Sequence, residues 1–178
     1  MSKKTPTTQT RLFSRGFTLI ETFVAITILV TAVAGPLTIA SKGLQSAILA
    51  RDQLTASFLG QEGIEYIREK RDNNKLQGLS WLAGLDACID QECTVDATEQ
   101  QSPAINTCAP GGCDAIRFND ESSLYTYSLG DPETQFVRSV TIAPAANGYE
   151  ATIISTIEWT TGVFTRQAVF SEVITDWQ

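Results

Sequence analysis

No histidine occurs anywhere in the 178 residues, so the commonest general base and the commonest metal ligand are both missing. Catalysis by a serine-histidine or cysteine-histidine pair is thereby excluded. Cations are scarce as well. Lys and Arg number 13 against 20 Asp and Glu, for a formal charge of -7, and beyond Arg15 no stretch concentrates enough of them to neutralise phosphates. A nucleic-acid partner is therefore not expected. There is also no phosphate-binding loop, because Gly111-Gly112 lies between cysteines and lacks the following lysine and helix. Asp114, Asn119, Asp120 and Glu121 are hard oxygen ligands of the kind calcium takes, yet their spacing does not match an EF-hand, and a solvated loop is expected instead. Asp86 and Asp90 carry no stronger signal. A catalytic carboxylate pair is defined by distance in space, and nothing in the sequence points to one. No catalytic residue, metal or cofactor is expected.

What is present is unevenly distributed. The hydrophobic fraction of 43% is ordinary for one domain, but almost every residue from Phe17 to Ala40 is apolar or small, whereas the remainder reads as an acidic, strand-rich domain. Lys3, Lys4, Arg11 and Arg15 all precede that run without any accompanying acid, and losing them would take the charge from -7 to -11.

A secretory signal places its small-residue cleavage site after the apolar core. Here the order is inverted, and a cut at Gly16 would remove residues 1–16 and leave the apolar run on the mature chain. That run, about 24 residues, exceeds the roughly 20 needed to span hydrocarbon as a helix. The preceding cations keep the leader cytoplasmic and send everything after Ala40 outward. Glu21 is anomalous in such a span. An ionisable group there costs about 2.5 to 3.5 kcal/mol on insertion scales, so it needs a partner or a task, unless it snorkels to the interface. Gly35-Pro36 interrupts the run, and a helix break or kink is expected there because proline removes a donor and clashes with the carbonyl of Ala32.

The segment Gly16-Phe17-Thr18-Leu19-Ile20-Glu21 resembles the cleavage and methylation site of type IV prepilins and of type II secretion pseudopilins. That resemblance implies cleavage between Gly16 and Phe17 by a prepilin peptidase and N-methylation of Phe17. It also implies a role for Glu21 in neutralising the terminal amine of a neighbouring subunit during assembly, since two opposite charges that meet in a low-dielectric bundle relieve each other's desolvation. The implied partners are other pilin subunits, the membrane before assembly, and the inner-membrane assembly machinery. The implied location is the bacterial cytoplasmic membrane first and a cell-surface filament afterwards. Gln61 to Asn74 is similar to the helix end of minor pilins described as pilus-modification proteins, which favours a minor pilin. A type II secretion pseudopilin is the alternative within the resemblance, and a membrane-anchored extracellular binding or hydrolytic domain the alternative outside it.

After Ala40 the pattern becomes amphipathic. Leu44, Ala47, Ile48, Leu54, Phe58, Leu59, Tyr66 and Ile67 recur at helical spacing, with Lys42, Arg51, Asp52, Glu62, Glu69 and Lys70 between them. The helix is expected to end near Arg71, where Asp72-Asn73-Asn74 supplies turn chemistry. As one helix, residues 17 to 71 would reach roughly 80 Å at about 1.5 Å per residue, so its N-terminal half is expected to protrude from a compact domain. Gly60 and Gly63 within it signify either close approach of another element or simple tolerance.

Residues 75 to 134 read as a loop-rich region carrying all four cysteines, Cys88, Cys93, Cys108 and Cys113. Two disulfides are expected rather than a zinc site, because exported domains use them to staple poorly packed loops. The pairing is left open. Thr134 to Ile142, Tyr149 to Trp159 and Val163 to Ile174 read as strands separated by Asn147-Gly148 and Thr161-Gly162. Trp81, Tyr125, Tyr127, Trp159 and Trp177 are expected in the core rather than as stacking platforms. The fold class expected is α+β: a long N-terminal helix, its amphipathic half covering a small antiparallel sheet, with a disulfide-containing loop region between them.

Overall fold

The computed structural model describes residues 16–98 and 103–176. The basic leader, apart from Gly16, and Trp177 lie outside the described residues. The chain divides into two compact units, Met1–Ser46 and Ala47–Gln178. One helix, α1, runs from Leu19 to Leu76. It is followed by a short 3-10 turn at Asp86–Cys88 and by strands β1 Cys93–Val95, β2 Ile105–Thr107, β3 Ala115–Asn119, β4 Leu124–Thr126, β5 Glu133–Pro144, β6 Glu150–Thr161 and β7 Phe164–Thr175. The layout is the expected α+β one, a long N-terminal helix on an antiparallel sheet with disulfides in the connecting region.

Within the first unit every described side chain is exposed, including Phe17, Leu19, Ile20, Phe23, Ile26, Leu29 and Val33. The expected break at Gly35-Pro36 is not observed, because the helix continues through both residues. A single missing backbone donor forfeits one hydrogen bond, and the turns on either side propagate without a new nucleation step. The hydroxyl of Thr38 donates to the Ala34 carbonyl at 2.8 Å just beyond the proline.

The second unit is built on three long strands. β5, β6 and β7 form two successive hairpins, in register from Phe136 opposite Trp159 and from Glu150 opposite Thr175. Gly148 and Gly162 take positive φ values of 72° and 66° in the connecting turns, where a β-carbon would be strained. The 75–134 region is not only loop. It adds four short strands, with β1 and β3 both pairing along the edge of β5 that β6 leaves free, and the result among the described residues is a seven-stranded antiparallel sheet. Strands of three to five residues give too little alternation to be read from sequence.

Alternate residues of β5 and β6 face the helix: Phe136, Val140, Ile142, Ile153, Ile157 and Trp159 are all buried. Opposite them lie Ala56, Leu59, Gly60, Gly63, Ile64 and Ile67 of α1. The glycines are there for close approach. A β-carbon at Gly60 would collide with the Phe170 ring, coming to 2.5 Å of Cε2, and one at Gly63 would press on Arg138, Ser155 and Val140 at 3.2 to 3.3 Å.

Two expectations about α1 need correction. Leu44, Ile48, Leu54 and Phe58 share helical spacing with the core residues but are exposed, so they do not cover the sheet. The helix also continues past Arg71 to Leu76. Asn74 does not form a turn there. It is buried, and its side-chain amide donates to the carbonyls of Trp81 and Ala83 at 3.2 and 2.8 Å, which folds the following turn back onto the helix. Arg71 and Lys75 reach the end of β7, at the Thr175 carbonyl and the Asp176 carboxylate.

Candidate functional site

The residues singled out in the sequence fall into separate places. Gly16 and Phe17 precede α1 and are exposed, so the peptide bond between them is sterically open. Thr18 caps the helix: its Oγ1 accepts the backbone N–H of Glu21 at 3.3 Å. A threonine followed three residues later by a glutamate is the spacing of a capping box, and the carboxylate also complements the positive end of the helix dipole. Sequence reasoning gave Glu21 an assembly role and overlooked this local one, although the spacing was visible. Glu21 is exposed, and no ion pair among the described residues includes it.

Below that turn, α1 is the one helix of the described residues long and apolar enough to cross a membrane, and none of its most apolar window is buried. Its hydroxyl side chains between Thr22 and Ser41 are internally satisfied. Thr22, Thr27, Thr31, Thr38 and Ser41 each donate a hydroxyl to a carbonyl three or four residues back, at 2.8 to 3.0 Å. Such bonds suit apolar surroundings, where an unpartnered hydroxyl is costly.

Both cysteine pairs are disulfides, and each joins neighbours in sequence: Cys88 to Cys93 and Cys108 to Cys113. The first bridge is fully buried among Trp81, Leu85, Val95 and Ile142. The second is half-buried in a loop. Nearby, Asp114, Asn119, Asp120 and Glu121, expected to form a solvated loop, do not converge on a common point. The Asn119 side chain accepts from Ser122 and donates to Asp131 at 2.8 Å, forming a local turn, while Asp114, Asp120 and Glu121 are exposed.

The polar centre of the second unit was missed altogether. Arg138 lies on the buried face of β5 between Phe136 and Val140, at 2% exposure. Its Nη1 donates to the Leu59 carbonyl and to Glu62 Oε2, both at 2.8 Å, and its Nη2 donates to the Val95 carbonyl. Its guanidinium carbon sits 6.0 Å from the centre of the Tyr127 ring. Burial pushes the Tyr127 phenol above its ordinary value, against the pull of the Arg138 charge. Strand alternation placed Arg138 among core positions, and that was the available signal. The group fastens helix, β1 and β5 together.

No family model matches the chain, and no match was found among the curated proteins or the solved structures.

Proposed function

We propose that this chain is a structural, non-enzymatic subunit of a type IV pilus or pilus-like filament, and a minor pilin rather than the abundant one. In this reading a prepilin peptidase removes residues 1–16 and methylates the amine of Phe17. The apolar half of α1 rests in the cytoplasmic membrane before assembly and afterwards packs against other subunits. The disulfide-stapled sheet domain is carried outward on the cell surface.

The observation that carries the proposal is Glu21. It is the only charged residue between Phe17 and Ala40, it sits in the first turn of α1 at the head of an exposed apolar run, and no cation of the described residues pairs with it. A carboxylate in that position is explained by an amine arriving from a neighbour. The exposed Leu54 and Phe58 support the same reading, because an apolar stripe on the side of the helix away from the sheet suits a packed neighbour.

Intact-mass measurement of the protein from its native cells tests processing. The expected species begins at an N-methylated Phe17, and a chain retaining Met1 to Gly16 overturns the proposal. Glu21→Ala tests assembly: cleavage is expected to proceed while incorporation into filaments fails. Unchanged incorporation removes the role given to that carboxylate.

A further inference from the structure

The face of the sheet turned away from α1 carries a cleft of about 350 Å³, at the small end of the roughly 300 to 1,000 Å³ usual for ligand sites. Its floor spans three strands. Ser139 of β5 lies in register with Thr156 of β6, and Glu158 of β6 lies opposite Gln167 of β7. One wall is the Cys108–Cys113 loop, which presents the backbone of Gly111 and Gly112, and Glu92 lines the cleft next to Cys93. The wall is held in shape by both bridges. The Cys108 amide donates to the Glu92 carbonyl at 2.9 Å, joining the two disulfide segments, and the Gly112 amide donates to Ala109 at 2.9 Å within the second. A site braced in this way loses little freedom on binding.

The chemistry of the lining is one-sided. Its charged residues are Glu92 and Glu158, and among the described residues no lysine, arginine or aromatic ring lines it. Gln167 donates to Glu158 Oε1 at 3.3 Å and so orients the carboxylate on the cleft floor. Ser139 and Thr156 supply hydroxyls, and the glycine pair supplies peptide groups unscreened by side chains. We infer that this cleft binds a cationic side chain, lysine or arginine, presented by a polypeptide. Two carboxylates with hydroxyls and an amide accept the several N–H donors of an ammonium or guanidinium group. The exposed Gly111 backbone in the wall lies where the main chain that carries it would pass. A divalent cation is disfavoured because, among the described residues, no three acidic, cysteine or histidine side chains gather to hold one. A sugar would find no ring on which to stack among the described residues of the lining. This inference stands apart from the filament reading and holds for any role of the domain.

The test uses the full chain in detergent micelles, titrated with acetyl-Gly-Lys-Gly amide and acetyl-Gly-Arg-Gly amide and followed by backbone amide shifts. Acetyl-Gly-Gln-Gly amide serves as the neutral control. The cationic peptides are expected to shift resonances of the cleft and the neutral one to leave them in place. Glu158→Gln is expected to weaken binding about three- to five-fold, the weight of one exposed ion pair. Gly111→Phe fills open space, since nothing lies within 4 Å of a β-carbon there, and is expected to abolish binding with the fold intact. Glu150→Gln, at the far end of β6, is the control for general attraction to an acidic protein and is expected to change nothing. Equal binding of the neutral peptide, an equal loss in Glu150→Gln, or full binding by Gly111→Phe each overturns the inference.

Discussion

Arg138 Nη1 lies 2.8 Å from Glu62 Oε2, which joins the sheet to the overlying helix through a cation that is itself almost completely buried. The same guanidinium donates to two main-chain carbonyls, Leu59 and Val95. Its removal therefore strands several groups at once. Arg138→Ala is expected to destabilise the second unit by about 3 to 5 kcal/mol, as breakage of a buried pair does. Glu62→Gln keeps an acceptor and is expected to cost less. Denaturant unfolding of the full chain, followed through the buried Trp81 and Trp159, measures both. A loss under about 1 kcal/mol for Arg138→Ala, an ordinary surface value, would contradict the role assigned to it.

Gly60 gives a steric prediction. A methyl group there meets the Phe170 ring, and overpacking costs about 1 to 3 kcal/mol, against which better helix propensity returns up to about 1 kcal/mol. Gly60→Ala is expected to be net destabilising, and pairing it with Phe170→Leu to recover most of the loss. Additive losses in the double variant would show that the two residues do not meet.

The two disulfides are expected to differ. Each closes a loop with a sequence separation of 5, so the chain-entropy contribution of each is about 2 kcal/mol. Cys88 and Cys93 are also part of the core, whereas Cys108 and Cys113 are only half-buried. Replacing the first pair with alanine is expected to lower the unfolding midpoint further than replacing the second. The reverse order would argue that loop closure, not packing, sets their worth.

Tyr127 predicts an alkaline limit. Its pKa in the folded chain is raised above the ordinary value of 10.0, chiefly by burial. The folded state therefore holds this proton to higher pH than the unfolded chain does. Its contribution to stability is complete below the unfolded value and is lost as pH rises from there through the folded value. Stability measured across that window is expected to fall less steeply in Tyr127→Phe than in the parent. Phenolate absorbance of Tyr127 is expected to develop only above the ordinary tyrosine range. Matching slopes in parent and variant would remove the assignment.

Leu54 and Phe58 separate folding from assembly. Both are exposed on α1, so Leu54→Ser with Phe58→Ser is expected to leave unfolding within about 0.5 kcal/mol of the parent, as surface changes do. On the filament proposal the same variant is expected to incorporate poorly. A large loss of stability would mean that these side chains belong to the fold of the single chain.

The sequence by itself determined what depends on neighbours along the chain. The apolar run from Phe17, the cap from Thr18 to Glu21, the period-two strands from Thr134 onward and the glycine turns at 148 and 162 are set by local spacing and backbone geometry. The long helix on an antiparallel sheet follows from those pieces, because each apolar face needs a cover. Only the tertiary structure decided what depends on residues far apart in sequence. Helical spacing cannot distinguish Leu54 and Phe58 from Leu59 and Ile67, since the helix is apolar on two sides and only the seated sheet selects one. The cysteine pairing, the burial of Arg138 against Glu62, and the cleft between the second disulfide loop and the outer face of β5, β6 and β7 are likewise distances between separate segments, and a linear pattern carries no such distances.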